Sequence, residues 1–123
     1  MNPEGESLLE RARELTLVNT GRKSGLARET ELWFAYLAGE VYLLAGADSM
    51  GTPTQWYRNL QVNPTAMLKV KGKSIPAVSQ PVGDAQALDS HIRGLFEAKY
   101  GRSIMRRWYG GGRHLPVKLK VVA

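Results

Sequence analysis

The stretch Gly21-Arg22-Lys23-Ser24-Gly25 separates two strand-like segments and decides how they can be joined. Glycine permits tight turns and lets backbone N–H groups come close to a ligand. Arg22 and Lys23 add positive charge, and Ser24 adds a short hydroxyl donor. Residues 21–25 therefore predict a small anion cradle, suited to a phosphate or a carboxylate, with both cations exposed. Composition alone leaves the alternative of a charged β-turn without a ligand.

The chain has 123 residues, of which 43% are hydrophobic and 23% charged, and residues 1–123 are expected to form one domain. The absence of cysteine excludes disulfides, thiolate catalysis and cysteine metal sites. No apolar run approaches the length of a transmembrane span, and Met1–Glu14 is too charged for a signal peptide. A cytoplasmic protein without a transmembrane segment is expected.

The net charge of +6 favours a polyanionic partner, such as nucleic acid, an anionic membrane or a phosphorylated cofactor. The aromatic residues are embedded in apolar runs, and no nucleic-acid-binding motif is present. We therefore expect an anionic cofactor, and no nucleic acid, as the partner. The two histidines, His91 and His114, are too far apart in sequence to predict a metal site.

The hydrophobic periodicity of the first half predicts a helix followed by strands. The helix covers Glu6–Glu14, within an N-terminal helical extension of residues 1–14, and the first strand covers Leu15–Thr20. Strands over Glu29–Leu37 and Glu40–Gly46 are predicted to form a β-hairpin.

The second half alternates helices and strands. Thr52 is predicted as the N-cap of a helix with Pro53 at its first position, and this helix should end before Pro64. The later elements are a hairpin of Thr65–Lys71 and Lys73–Gln80, helices over Asp84–Lys99 and Arg102–Tyr109, a glycine joint at Gly110–Gly112, and a strand over Pro116–Val122. This α+β fold, with about six mainly antiparallel strands and two to four peripheral helices, closes its edges most easily as a barrel.

The order of these signals resembles a known family. The segments are Asn19-Thr20-Gly21-Arg22-Lys23-Ser24-Gly25, Arg28-Glu29-Thr30, Leu32-Trp33-Phe34, Trp56-Tyr57-Arg58-Asn59-Leu60, Asn63-Pro64 and Arg113-His114-Leu115-Pro116-Val117. Their order and spacing are similar to those of the deazaflavin (coenzyme F-420)-dependent nitroreductase family, in the flavin-reductase-like and pyridoxamine-phosphate-oxidase-like split-barrel superfamily. The resemblance covers roughly residues 15 to 122 and implies a split β-barrel.

The resemblance also implies a cofactor, the deazaflavin coenzyme with its acidic phospholactyl-oligoglutamate tail. Arg22, Lys23 and Ser24 would hold that tail, and the loop before the Trp56-Tyr57 pair would lie near the cofactor. The cofactor-binding residues implied in this way are Arg22, Lys23, Ser24, Gly25, Ala47, Asp48, Met50, Gly51, Gln55 and Trp56. Asp48 adds a negative charge to this loop, and Glu31 stands where the family usually has proline.

The implied activity is hydride transfer from the reduced deazaflavin to a small organic acceptor, such as an activated alkene, an enone or a nitro compound. The cofactor carries the difficult chemistry, so no dedicated acid or base residue is required. Tyr100 and Tyr109 are the candidates for donating a proton or orienting the substrate, whereas packing roles are predicted for Trp56 and His114.

Two alternatives to this function stay open at this point. The cradle could hold the single phosphate of FMN, or the barrel could be a non-catalytic carrier of a lipid-like molecule. Both a monomer and a homodimer are compatible with the sequence.

Overall fold

The computed structural model describes residues 3–109 and 114–122, with the backbone only for residue 108. Four helices and seven strands follow one another in these residues. They are α1 (Pro3–Arg11), β1 (Glu14–Thr20), β2 (Ala27–Trp33), β3 (Ala35–Leu37), β4 (Glu40–Gly46), α2 (Gln55–Val62), β5 (Thr65–Val70), β6 (Lys73–Ser79), α3 (Ala85–Tyr100), α4 (Arg102–Tyr109) and β7 (His114–Val121). Within these ranges, no helix is long and apolar enough to cross a bilayer.

The strands form one antiparallel sheet in the order β2-β1-β5-β6-β7-β4-β3. The two edge strands, β2 and β3, are consecutive in the chain and separated only by Phe34. The sheet must therefore curl until its edges approach each other, because one short segment supplies both of them. This curl produces the split barrel that the sequence predicted.

The predicted hairpin of Glu29–Leu37 with Glu40–Gly46 is only partly right. Residues 35–37 do pair with β4, but residues 27–33 pair with β1 across the cradle, with Leu17 opposite Thr30. The buried Phe34 interrupts the strand, so its two halves join opposite edges of the sheet. This division accounts for seven strands instead of about six.

The barrel interior is filled by alternate residues of the strands, as the two-residue period of a strand requires. In β1 the side chains of Leu15, Leu17 and Asn19 are buried, while their neighbours face outward. The main core contains Leu9, Ala12, Leu15, Leu17, Phe34, Val41, Leu43, Ala45, Trp56, Leu60, Leu68, Val70, Ile75, Ala77, Val117 and Leu119. The helix α2 packs on this core through Trp56 and Leu60.

The helix α3 covers the outer face of β3 and β4, as predicted. Its Ile92 and Phe96 are fully buried, and Leu88 and Leu95 are partly buried against the same cluster. Asp84 caps the start of α3, because its carboxylate accepts a hydrogen bond of 3.0 Å from the Ala87 amide. A second cluster of buried residues thus fixes α3 and α4 to the outside of the barrel.

Two predicted helix boundaries are wrong. The N-cap of α2 is Thr54, not Thr52, because Pro53 forms an isolated β-bridge with Ala47 and so belongs to the preceding loop. The first helix covers Pro3–Arg11 rather than Glu6–Glu14, because Glu14 already pairs with Trp33 in the sheet. The predicted end of α2 before Pro64 is confirmed.

Candidate functional site

The cradle is the turn that joins β1 to β2. The Gly21 amide donates a hydrogen bond of 2.8 Å to the Leu26 carbonyl, and the Gly25 amide donates one of 2.9 Å to the Gly21 carbonyl. The Ser24 hydroxyl accepts from the Leu26 amide at 3.2 Å, and Gly25 has a φ of +73°, which favours glycine. These bonds give the turn a defined shape without a ligand.

The same turn leaves room and donors for an anion. A Cβ atom on Gly21 would lie 2.6 Å from the Ser24 hydroxyl oxygen, so this position takes no side chain without displacing Ser24. Within the described residues, the backbone N–H groups of Lys23 and Ser24 have no acceptor. Free N–H groups beside cationic side chains are the donors that bind phosphate and carboxylate oxygens.

Arg22 is not the exposed side chain that the sequence predicted. It is half-buried, and its Nη1 atom donates hydrogen bonds of 2.8 Å to Gln55 Oε1 and to Asn59 Oδ1. The Arg22 amide also donates to Asn59 Oδ1 over 3.0 Å. Arg22 therefore fastens the cradle to α2. The exposure predicted for Lys23 is confirmed.

A polar cavity of about 680 Å³ opens at the cradle. We call it the cradle cavity. Its walls are residues 21–24 of the turn, residues 27–30 of β2, and Gln55, Trp56 and Asn59 of α2. The walls carry three cations and one carboxylate, Glu29, which pairs with Lys69 over 3.4 Å. The cavity therefore keeps a positive balance.

A more apolar cavity of about 480 Å³ lies farther along β2. We call it the aromatic pocket. Its walls are residues 31–33 of β2, Leu44 and Gly46 of β4, Thr54 and Trp56 beside the start of α2, and Tyr109 and His114. Trp56 lines both cavities, and β2 runs from one to the other. The two cavities are therefore adjacent, with Trp56 in the walls of both.

Stacked and edge-on aromatic rings build one wall of the aromatic pocket. The Trp33 ring stacks on the Tyr100 ring with centroids 4.5 Å apart and lies 6.1 Å from the Tyr109 ring. Phe96 contacts Tyr109 edge-on at 5.7 Å, and the His114 ring lies 5.0 Å from Tyr109. Such contacts fix ring orientations as well as burying area. The wall is therefore held by residues that reach back into the second core cluster.

Tyr100, one of the two tyrosine candidates, has its hydroxyl inside the protein. The side chain is buried, and the hydroxyl contacts the carbonyls of Arg13 and Phe34 and accepts from the Phe34 amide. Burial raises the pKa of Tyr100 to about 12, so the hydroxyl stays protonated. This placement indicates that Tyr100 has a structural role.

Replacing Tyr100 with phenylalanine is expected to lower the free energy of unfolding by about 1–3 kcal/mol, because buried backbone groups lose a partner. The rate of substrate reduction by the folded protein should change less than twofold, since the hydroxyl does not line the aromatic pocket. Urea unfolding and steady-state assays at a temperature well below the transition measure the two effects. A large fall in rate without a loss of stability would contradict the structural role.

Tyr109, the other candidate, is half-buried and lines the aromatic pocket. Burial raises the pKa of its hydroxyl, so Tyr109 remains a neutral donor at physiological pH. The Trp108 side chain and Gly110–Gly112, which the sequence associated with this region, lie outside the described residues.

The loop before α2 is organised by the carboxylate of Asp48. Its Oδ1 atom accepts hydrogen bonds of 2.9 Å from the amides of Met50 and Thr52. The loop residues expected near the cofactor, Ala47, Asp48, Met50 and Gly51, are absent from the walls of both cavities, while Gln55 and Trp56 are present. The structure thus brings the cradle and α2 together but leaves this loop beside them.

The sequence missed the link between the cradle and α2, and it missed the pocket position of His114. A signal for the first was present: Gln55 and Asn59 are four residues apart, so they share one face of a helix. Asn59 holds the turn in place, because its Oδ1 atom accepts hydrogen bonds from the Arg22 amide and from Arg22 Nη1. No group of three or more metal-binding side chains occurs in the described ranges.

Solved structures with different described functions share this fold. A FAD-binding protein from Mesorhizobium loti superposes with a TM-score of 0.72 at 14% identity, over 100% of this chain and 91% of that one. The haem storage protein HutZ from Vibrio cholerae superposes with a TM-score of 0.71 at 15% identity, over 99% of this chain and 90% of that one. An F420-H2 dependent reductase superposes with a TM-score of 0.65 at 22% identity, over 89% of this chain and 94% of that one. These likenesses establish the split barrel.

A sequence match over nearly the whole chain shows which family the protein belongs to. Residues 2–120 match the model of the F420H(2)-dependent quinone reductase family. This chain therefore belongs to the F420H(2)-dependent quinone reductase family, whose members are oxidoreductases with reduced coenzyme F420 as cofactor.

Proposed function

We propose that this protein transfers a hydride from reduced coenzyme F420 to a quinone or a related conjugated carbonyl compound, with the coenzyme tail in the cradle cavity. The observation that carries the proposal is that the cradle cavity and the aromatic pocket adjoin at Trp56. Open backbone N–H groups with cationic side chains line the first, and aromatic side chains line the second. A cofactor with an acidic tail and a flat ring needs both environments.

The residues of the cradle fit the tail chemically. The free amides of Lys23 and Ser24 and the exposed Lys23 ammonium can bind phosphate and carboxylate oxygens through charge-assisted hydrogen bonds. Arg22 has two of its bonds committed to α2, so it contributes a fixed positive charge and holds the turn in place. The lysines of the later hairpin do not line the cavity, and Lys69 and Lys73 pair with Glu29 and Glu4.

The aromatic pocket supplies a flat apolar surface for the ring system. The coenzyme, when bound, supplies the hydride from its central ring. Trp33, Trp56 and Tyr109 bury apolar area and limit the orientations available to a planar molecule.

A quinone is proposed as the acceptor because the family is named for quinone reduction and because the pocket walls are aromatic. Quinones are conjugated enediones, so the activated alkenes and enones expected from the sequence belong to the same chemistry. Tyr109 is the residue we assign to orienting the acceptor, since it lines the pocket and keeps its hydroxyl proton.

Binding titrations should show that coenzyme F420 binds more tightly than FMN at low salt. The coenzyme tail carries a phosphate and several carboxylates, whereas FMN carries one phosphate. The preference is expected to be modest, because exposed ion pairs contribute about 0.2–1 kcal/mol each, and it should narrow as salt screens them. Fluorescence titration of the purified protein at about 20 and 300 mM salt tests this expectation.

Tighter binding of FMN at every salt concentration, or isolation of the protein with FMN bound, would overturn the cofactor assignment. The protein would then be an FMN-binding split barrel. Retention of a lipid-like molecule, without binding of either cofactor, would instead support a carrier.

A further inference from the structure

His114 is a polar group of the aromatic pocket that the function proposed so far does not use. It is the first residue of β7, where it pairs with Gly46 of β4, and its side chain is half-buried. Its ring lies 5.0 Å from the Tyr109 ring. The strand pairing and the ring contact place the imidazole in the wall where an acceptor would lie.

The neighbouring arginine decides which nitrogen of His114 carries the proton. Arg93 Nη2 lies 3.4 Å from His114 Nδ1. A guanidinium has only N–H donors and does not lose its charge in proteins. Nδ1 must therefore accept, and the proton of the neutral ring belongs on Nε2.

Arg93 cannot easily move out of this arrangement. Its Nε atom donates to Asp89 Oδ2 over 2.8 Å, and its Nη1 atom donates to the Tyr109 carbonyl over 2.9 Å. Arg93 therefore ties α3, the end of α4 and β7 together, and it presents a fixed donor to the imidazole. We regard Arg93 as a positioning residue for His114.

The surroundings keep the His114 ring neutral at physiological pH. Burial lowers the pKa of His114 below its ordinary value, the Arg93 charge lowers it further, and Asp89 opposes them. The other titratable groups on the pocket walls are Tyr109 on α4 and Glu31 on β2.

His114 is one of the residues that line the pocket, and its Nε2 atom has no hydrogen-bond partner among the described residues. From these observations we propose that His114 is a catalytic residue whose Nε2–H group donates a hydrogen bond to the carbonyl oxygen of the acceptor. This inference rests on the proposed function.

The proposed bond acts where charge develops. Reduction of a quinone to a hydroquinone takes up a hydride, which brings two electrons, and one proton from solvent. Negative charge accumulates on the acceptor oxygen before that proton arrives, and a fixed donor stabilises it. The imidazole donates the hydrogen bond but loses no proton, so the step requires no further reactant.

Nitrogen-15 NMR of the imidazole rings tests the geometry without turnover. The chain has two histidines, so a His91→Gln variant assigns both sets of signals. At pH 7, His114 should show the neutral form with the proton on Nε2, and Arg93→Met should raise its pKa. A proton on Nδ1 at pH 7, or an unchanged pKa in Arg93→Met, would overturn the inference.

Kinetics with the reduced coenzyme and menadione test the role. His114→Leu should lower kcat ten- to hundredfold, while His114→Gln, which keeps an N–H donor, should retain most of it. Coenzyme affinity should change less than twofold in both variants, and His91→Gln should leave kcat unchanged.

These assays distinguish failure of the proposed function from failure of the role proposed for His114. Wild-type protein that neither binds the coenzyme nor reduces menadione overturns the proposed function and this inference with it. Wild-type turnover that is unaffected in His114→Leu overturns the role of His114 alone. If His114→Leu does not fold, His114→Gln tests the inference by itself. A ten- to hundredfold loss of kcat in this variant, which keeps an N–H donor, would contradict the proposed hydrogen bond.

Discussion

Replacing Phe96 with alanine is expected to lower the free energy of unfolding by about 3–5 kcal/mol, because a large side chain leaves a cavity in a packed core. Phe96 is fully buried on α3 and contacts both Tyr100 and Tyr109 edge-on, at 5.5 and 5.7 Å. Its loss should also loosen the wall of the aromatic pocket. The expected result is a destabilised protein whose quinone reduction falls while its coenzyme tail still binds.

Urea unfolding measures the stability change, and Leu95→Ala on the same helix is the matched control. Leu95 is only partly buried, so its loss should cost clearly less. Equal losses in the two variants would contradict the packing of α3 described above.

Replacing Arg22 with alanine is expected to weaken coenzyme binding ten- to hundredfold, which corresponds to about 1.5–3 kcal/mol, because the cradle loses a positive charge and the bonds that hold its turn in place. The variant should also be less stable, because the cradle loses its bonds to Gln55 and Asn59. The two effects have one cause, since Arg22 both carries charge at the cradle cavity and fixes the turn to α2.

Lys23→Ala separates charge from positioning. Lys23 is exposed and has no partner among the described residues, so its loss should weaken coenzyme binding slightly and leave the unfolding midpoint unchanged. Fluorescence titration and urea unfolding of both variants provide the comparison. Unchanged coenzyme affinity in folded Arg22→Ala protein would place the tail elsewhere.

Local sequence determined most of the elements and the character of the cradle. The strand over Glu40–Gly46 was predicted with its observed bounds, because its apolar run lies between two turn signals. The capping of α3 by Asp84 follows from the short side chain before an apolar helical stripe. The glycines and cations of residues 21–25 predicted an anion cradle, and its free amides are those of a tight turn.

The tertiary structure decided which strands pair and which residues meet. Phe34 sends residues 27–33 and 35–37 to opposite edges of the sheet, and this division depends on long-range register rather than on local propensity. Arg22 is half-buried and bonded to α2 only because β1 and α2 pack together. The aromatic pocket collects Trp33, Trp56, Tyr109 and His114 from four separate segments. Periodicity gives each residue a face on its own element, whereas curling of the sheet determines which faces meet, and only the packed chain contains that information.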